Sequence, residues 1–133
     1  MTLTATCHCG ATRIELAYPP TEAKQCNCTF CFKTGAIWSY YQPGEVTVLS
    51  GESDKVYSAS GGLNQHHFCS GCGINSWGDS PDWASMYNDD GTPKNGDPNS
   101  FPATRIAAVN IRLIDDFDIA TVKIVEVDGR NSW

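Results

Sequence analysis

The chain has 133 residues and a formal net charge of −6. That length accommodates one domain, residues 1–133, with a modest core. The acidic balance repels a phosphate backbone, so nucleic acid is excluded as the expected partner, while a small anionic ligand would need only a local basic pocket.

Hydrophobic residues make up 41% of the chain, an ordinary share for a globular protein. No window approaches the ~18 apolar residues of a membrane helix, so no membrane association is expected. Met1-Thr2-Leu3-Thr4-Ala5-Thr6 has neither the basic start nor the apolar run of a secretory signal. The expected compartment is therefore the cytoplasm, where thiols stay reduced.

In chain order, period-two patterning and short runs of β-branched and aromatic residues predict strands at Ala11–Leu16, Ala36–Tyr41, Glu45–Ser50, Lys55–Ser58, Gln65–Phe68, Ile106–Arg112 and Val122–Val127. Turn signals separate them at Tyr18-Pro19-Pro20, Pro43-Gly44, Ser50-Gly51 and Gly61-Gly62. Helical patterning is confined to Thr29–Thr34 and Ile114–Ile119, each about one turn. Asp79–Thr104 is rich in Asp, Asn, Gly, Pro and Ser and reads as one long loop. It is either a solvated excursion or a lid whose Trp83, Met86, Tyr87 and Phe101 cover a ligand.

Seven cysteines fall in three clusters: Cys7-His8-Cys9, Cys26-Asn27-Cys28-Thr29-Phe30-Cys31 and Cys69-Ser70-Gly71-Cys72. A disulfide framework fits poorly, because the count is odd and no export signal accompanies it. Cysteines two apart seldom have the geometry to bridge each other. Metal binding fits well: Zn²⁺ prefers tetrahedral thiolate sites built from two short segments. Cys69-x-x-Cys72 followed by Gly73 looks like a zinc knuckle that needs two more ligands. Cys7 and Cys9 would complete a four-thiolate site and leave Cys26, Cys28 and Cys31 as a three-thiolate site with an open position. The alternative pairs the knuckle with two of Cys26, Cys28 and Cys31 and leaves Cys7 and Cys9 open. Charge favours the first division, since three thiolates leave the ion the better Lewis acid.

The cluster order resembles the glutathione-dependent formaldehyde-activating enzyme family, also called the centromere-protein-V-like family. The resemblance rests on Gly10 after the first cluster, Lys33 and Gly35 after the second, and His66-His67-Phe68-Cys69-Ser70-Gly71-Cys72-Gly73 around the third. Gly35-Ala36-Ile37-Trp38-Ser39-Tyr40-Tyr41, Ala108-Val109-Asn110-Ile111-Arg112 and Asp128-Gly129-Arg130 extend it over nearly the whole chain, apart from 79–104. The resemblance implies a mainly β, β-tent fold of small antiparallel sheets pinned by structural zinc. It implies two Zn²⁺ per chain, a structural one on Cys7, Cys9, Cys69 and Cys72 and a catalytic one on Cys26, Cys28 and Cys31. It further implies a carbon–sulfur lyase whose partners are a small-molecule thiol such as glutathione and an aldehyde, in the family reaction formaldehyde. One departure stands out: Phe32 follows Cys31 where the family often has Arg, and the nearest basic residue is Lys33. The competing readings are a non-catalytic zinc-stabilised binding module, and the same chemistry on a different thiol or aldehyde.

Among the remaining residues, His66 and His67 are expected on opposite strand faces, one of them packed in the core or bonded to a metal-site sulfur. A general acid/base role for one of them is the sharper alternative. His8 is expected in solvent. Trp38, Tyr40 and Tyr41 read as core, with a pocket wall that includes Phe30 and Phe32 as the alternative. Asn110 and Arg112 are expected on one strand face, and Asp115-Asp116-Phe117-Asp118 as a solvated turn.

Overall fold

The computed structural model describes residues 2–132. It is mainly β, as expected. The strands are β1 (Leu3–Thr6), β2 (Arg13–Leu16), β3 (Glu22–Cys26), β4 (Trp38–Tyr41), β5 (Val46–Ser50), β6 (Asp54–Tyr57), β7 (Gln65–Cys69), β8 (Asn75–Pro81), β9 (Arg105–Asn110) and β10 (Lys123–Val127). Two short helices, α1 (Thr29–Thr34) and α2 (Gly129–Ser132), complete the regular structure together with 3₁₀ turns at Trp83–Ser85, Ile111–Leu113 and Ile119–Thr121.

One sheet has the order β1-β2-β5 and the other β10-β3-β4-β9-β8-β7-β6. All but one of the pairings are antiparallel. The exception is β10 with β3, which run parallel, with Val127 opposite Cys26. The core lies where the two sheets meet. Ala5, Ile14 and Leu16 from the first pack with Ala23, Ile37, Tyr41, Val109, Ile111, Ile114 and Val122. Leu16 is fully buried, and burying such a side chain is worth about 2 kcal/mol. Among the described residues no helix is long and apolar enough to cross a membrane.

Each expected strand has an observed counterpart within two residues at either end, and α1 occupies its expected range. Three strands were not expected: β1, β3 and β8. The sequences of β3 (EAKQC) and β8 (NSWGDSP) are polar and lack period-two apolar patterning. Their backbone partners define them instead, β10 and β4 for β3, and β7 and β9 for β8. The long loop is correspondingly shorter, because Asp79, Ser80 and Pro81 pair with Ala107, Ile106 and Arg105.

Two smaller expectations are corrected. Ile114–Ile119 forms no helix; Asp116 takes a positive φ of 53° and only Ile119–Thr121 is helical, as one 3₁₀ turn. Arg112 does not share a strand face with Asn110, because β9 ends at Asn110, whose side chain caps the following 3₁₀ turn by accepting from the Arg112 N–H.

Candidate metal centres

The first centre is made by two turns of similar design. After β1, the Gly10 N–H donates to the Cys7 carbonyl at 3.1 Å and the Cys7 N–H to the Thr12 carbonyl at 3.0 Å. After β7, the Gly73 N–H donates to the Cys69 carbonyl at 2.7 Å and the Cys69 N–H to the Ile74 carbonyl at 3.0 Å. Gly10 and Gly73 hold φ of 84° and 79°, the left-handed region that glycine adopts without steric cost. Each turn thereby swings its second cysteine back over the first.

The result brings the sulfurs of Cys7, Cys9, Cys69 and Cys72 within 4.8 Å of one another. Cys7 Sγ lies 3.7 Å from Cys9 Sγ, and Cys9 Sγ 3.6 Å from Cys69 Sγ. A tetrahedral zinc–thiolate site with ~2.3 Å bonds has sulfur–sulfur edges of about 3.8 Å, so the donor set and spacing fit that ion. Burial would raise the Cys7 thiol, but the Thr12 amide at 3.2 Å and the neighbouring thiols outweigh it and bring it down to about 6. Cys7 and Cys69 are buried.

The second group, Cys26, Cys28 and Cys31, also lies within 4.8 Å sulfur to sulfur. Cys26 ends β3, Cys28 is the N-cap of α1, and Cys31 lies in its first turn. The Cys28 N–H donates to Cys26 Sγ and the Cys31 N–H to Cys28 Sγ, both at 3.4 Å. Backbone amides aimed at sulfur favour the thiolate, and the Cys28 thiol is lowered, but burial pushes the Cys26 thiol up and the Cys31 thiol up to about 12. The Asn27 N–H bonds the Val127 carbonyl at 3.1 Å, so the parallel strand β10 fixes the loop that carries these cysteines. The Trp38 side chain sits against the Cys31 thiol.

This three-thiol group opens on a pocket of about 370 Å³ lined by Gln25, Cys26, Asn27, Cys31, Phe32, Gly35, Ala36 and Glu126. In the four-thiol group Cys9 is exposed and Cys72 half-buried. The structure therefore gathers Cys7 and Cys9 with Cys69 and Cys72, and not either pair with the second cluster.

The other expected site residues separate. His67 is 8% exposed; its Nδ1 pairs with Asp54 Oδ2 at 2.5 Å and its ring stacks on Trp77 at 3.7 Å. His66, on the opposite strand face, stacks on Phe30 at 3.8 Å. Neither ring is hydrogen-bonded to a cysteine sulfur among the described residues. His8 is exposed, as expected, and Asp115, Asp116 and Asp118 are exposed too. Trp38 and Tyr41 are buried, whereas Tyr40 is not. Trp83, Tyr87 and Phe101 pack on one another rather than on the pocket, with ring centroids 6.1 and 5.3 Å from Trp83. Asn110 is buried and bonds Ile37 and Asn75, and Arg112 Nε donates to the Gly35 carbonyl at 2.9 Å. The sequence reading missed Gln25, Asn27 and Glu126 as pocket walls. Asn27 had a signal, its place between two cysteines; Glu126 had none, because only the β10–β3 pairing brings it there.

Residues 2–91 match the family model described as glutathione-dependent formaldehyde-activating enzyme. A protein of Halomonas elongata, provisionally named for that same family, is 32% identical over 98 residues. The match spans 66% of this chain and 62% of that protein, so the chain covers less than two thirds of that relative. A solved structure of a Rhodobacter sphaeroides protein superposes with a TM-score of 0.63 at 24% identity, covering 94% of this chain and 100% of that one. At that identity the likeness speaks for the fold alone.

Proposed function

The chain belongs to the glutathione-dependent formaldehyde-activating enzyme family, and from that membership and its thiol geometry we propose that it is a zinc-dependent carbon–sulfur lyase acting on thiol–aldehyde adducts. In this reading Cys7, Cys9, Cys69 and Cys72 hold a structural Zn²⁺ that pins the two sheets. Cys26, Cys28 and Cys31 hold a second, reactive Zn²⁺. Both centres and the 79–104 segment belong to one domain.

The observation that carries the reading is the difference in donor number: four sulfurs converge in one group, and three converge beside a pocket in the other. Three protein ligands leave one tetrahedral position for a substrate thiol. When bound, zinc supplies the positive charge that keeps such a thiol ionised near neutral pH. The substrate sulfur then donates its electron pair to the aldehyde carbon, the C=O π pair moves onto oxygen, and oxygen takes up a proton. Gln25 lines the pocket and offers an amide N–H for the developing oxyanion. In reverse, the hydroxyl loses its proton and the carbon–sulfur bond breaks. Phe32 and Ala36 form an apolar part of the pocket wall.

Glutathione and formaldehyde are the substrates the family name supplies. A different thiol or aldehyde is the second reading, favoured by Phe32, which presents a 70% exposed ring at the pocket where a basic residue would grip a carboxylate. Metal analysis of protein purified without chelators tests the proposal first: two zinc ions per chain are expected, and one would remove the reactive centre. Titrating glutathione into cobalt-loaded protein tests the open position. A shift in the thiolate-to-cobalt charge-transfer bands is expected, and an unchanged spectrum with every small thiol would leave a zinc-stabilised binding module.

A further inference from the structure

The acidic chain places a cation against two residues that line the three-thiol pocket. The backbone N–H of Arg130 in α2 donates to Asn27 Oδ1 at 2.9 Å, and its side-chain Nε donates to the Asn27 carbonyl at 3.0 Å. Its guanidinium carbon lies 5.3 Å from the centre of the Phe32 ring. Asn27 and Phe32 both line the pocket. One side-chain hydrogen bond and a cation–π contact thus hold an exposed guanidinium beside Asn27 and Phe32.

Among the described residues, the two terminal amino groups of Arg130 make no hydrogen bond. Asp128 is near enough to feel the charge, but its carboxylate oxygens already accept from Asn27 and Asn131 at 2.9 and 3.0 Å. A guanidinium anchored through Nε and set over a ring keeps its remaining N–H groups in a planar fork that matches a carboxylate. Lys33 does not fill this place. It lies about 100° around α1 from Phe32, whereas the Arg130 side chain, itself outside the pocket lining, contacts the lining residues Asn27 and Phe32.

We propose that Arg130 determines the specificity of the three-thiol pocket by binding a carboxylate of the incoming thiol, so that the substrate is a carboxylate-bearing thiol. The proposal rests on the open three-thiol centre described above. Glu126 on the same pocket wall gives the charge of Arg130 a second consequence. Without the arginine the wall is anionic, and the pocket turns from carboxylate-bearing thiols towards neutral and cationic ones.

The test uses cobalt-loaded protein and four probes: glutathione, 3-mercaptopropionate, 2-mercaptoethanol and cysteamine, with affinity read from the charge-transfer bands. The wild type should prefer the two carboxylate thiols. R130Q should weaken them about tenfold, leave 2-mercaptoethanol unchanged and improve cysteamine. R130K, which keeps the charge but not the fork, should fall between, and it carries the comparison if R130Q does not hold cobalt. Equal affinities of wild type for all four, or an equal loss for all four in R130Q, would overturn the role of Arg130 while leaving the open centre standing. A wild-type spectrum that no thiol alters would sink both.

Discussion

Lys24 Nζ lies 2.6 Å from Asp89 Oδ1, tying the 82–104 loop to β3 two residues before Cys26. The same ammonium lies 5.8 Å from the centre of the Tyr40 ring. The tether is partly exposed, with side-chain exposures of 23% and 56%, and pairs of that kind contribute about 0–1 kcal/mol. Asp89→Ala should therefore shift the unfolding midpoint little. It should raise amide hydrogen exchange across residues 86–94. Unchanged exchange there would mean that the loop is held by the Trp83, Tyr87 and Phe101 ring contacts and the Trp83–Asn64 hydrogen bond without the tether.

The two cysteine groups should respond differently to the same substitution. Cys72→Ser breaks the four-thiol centre that joins the β1 turn to the β7 turn, and in small metal sites binding energy is folding energy. Far-UV circular dichroism of that variant should show an unfolded or strongly destabilised chain. Cys28→Ser should stay folded and carry one zinc fewer. Equal unfolding of both variants would contradict the assignment of one centre to structure and the other to chemistry.

The buried His67–Asp54 pair joins β7 to β6 beside Cys69. Asp54→Ala leaves the His67 ring nitrogen without its partner in a site 8% exposed. Leaving such a group unsatisfied costs about 1–3 kcal/mol. Urea denaturation should show that loss, while thiol binding by the cobalt-loaded variant stays at the wild-type level. A large drop in thiol affinity would instead place His67 in the reactive site.

Leu16 tests the junction of the sheets. It is fully buried among residues of both, so Leu16→Ala should cost about 2–5 kcal/mol. The loss should appear in denaturant midpoints with metal bound. A loss below about 1 kcal/mol would mean that the metal centres, rather than the core, hold the sheets together.

Much of this molecule is legible in its residues. Cysteine clustering, glycine after each turn and alternating apolar residues announce thiolate metal sites in a mainly β fold, because these signals are local and survive without partners. The division into four and three sulfurs is less legible, since the spacings alone also allow Cys69 and Cys72 to pair with two of Cys26, Cys28 and Cys31; charge favours the division that the structure shows.

What only the tertiary structure decided are the pairings between distant polar segments. β3 and β8 have no strand signature of their own; backbone bonds to neighbours on both sides make them strands. Glu126 and Arg130 reach the Cys26–Cys31 loop only because β10 runs parallel to β3 and α2 follows it. Parallel pairing at a separation of about 100 residues leaves no trace in local periodicity, so the pocket's charges had to be found in space.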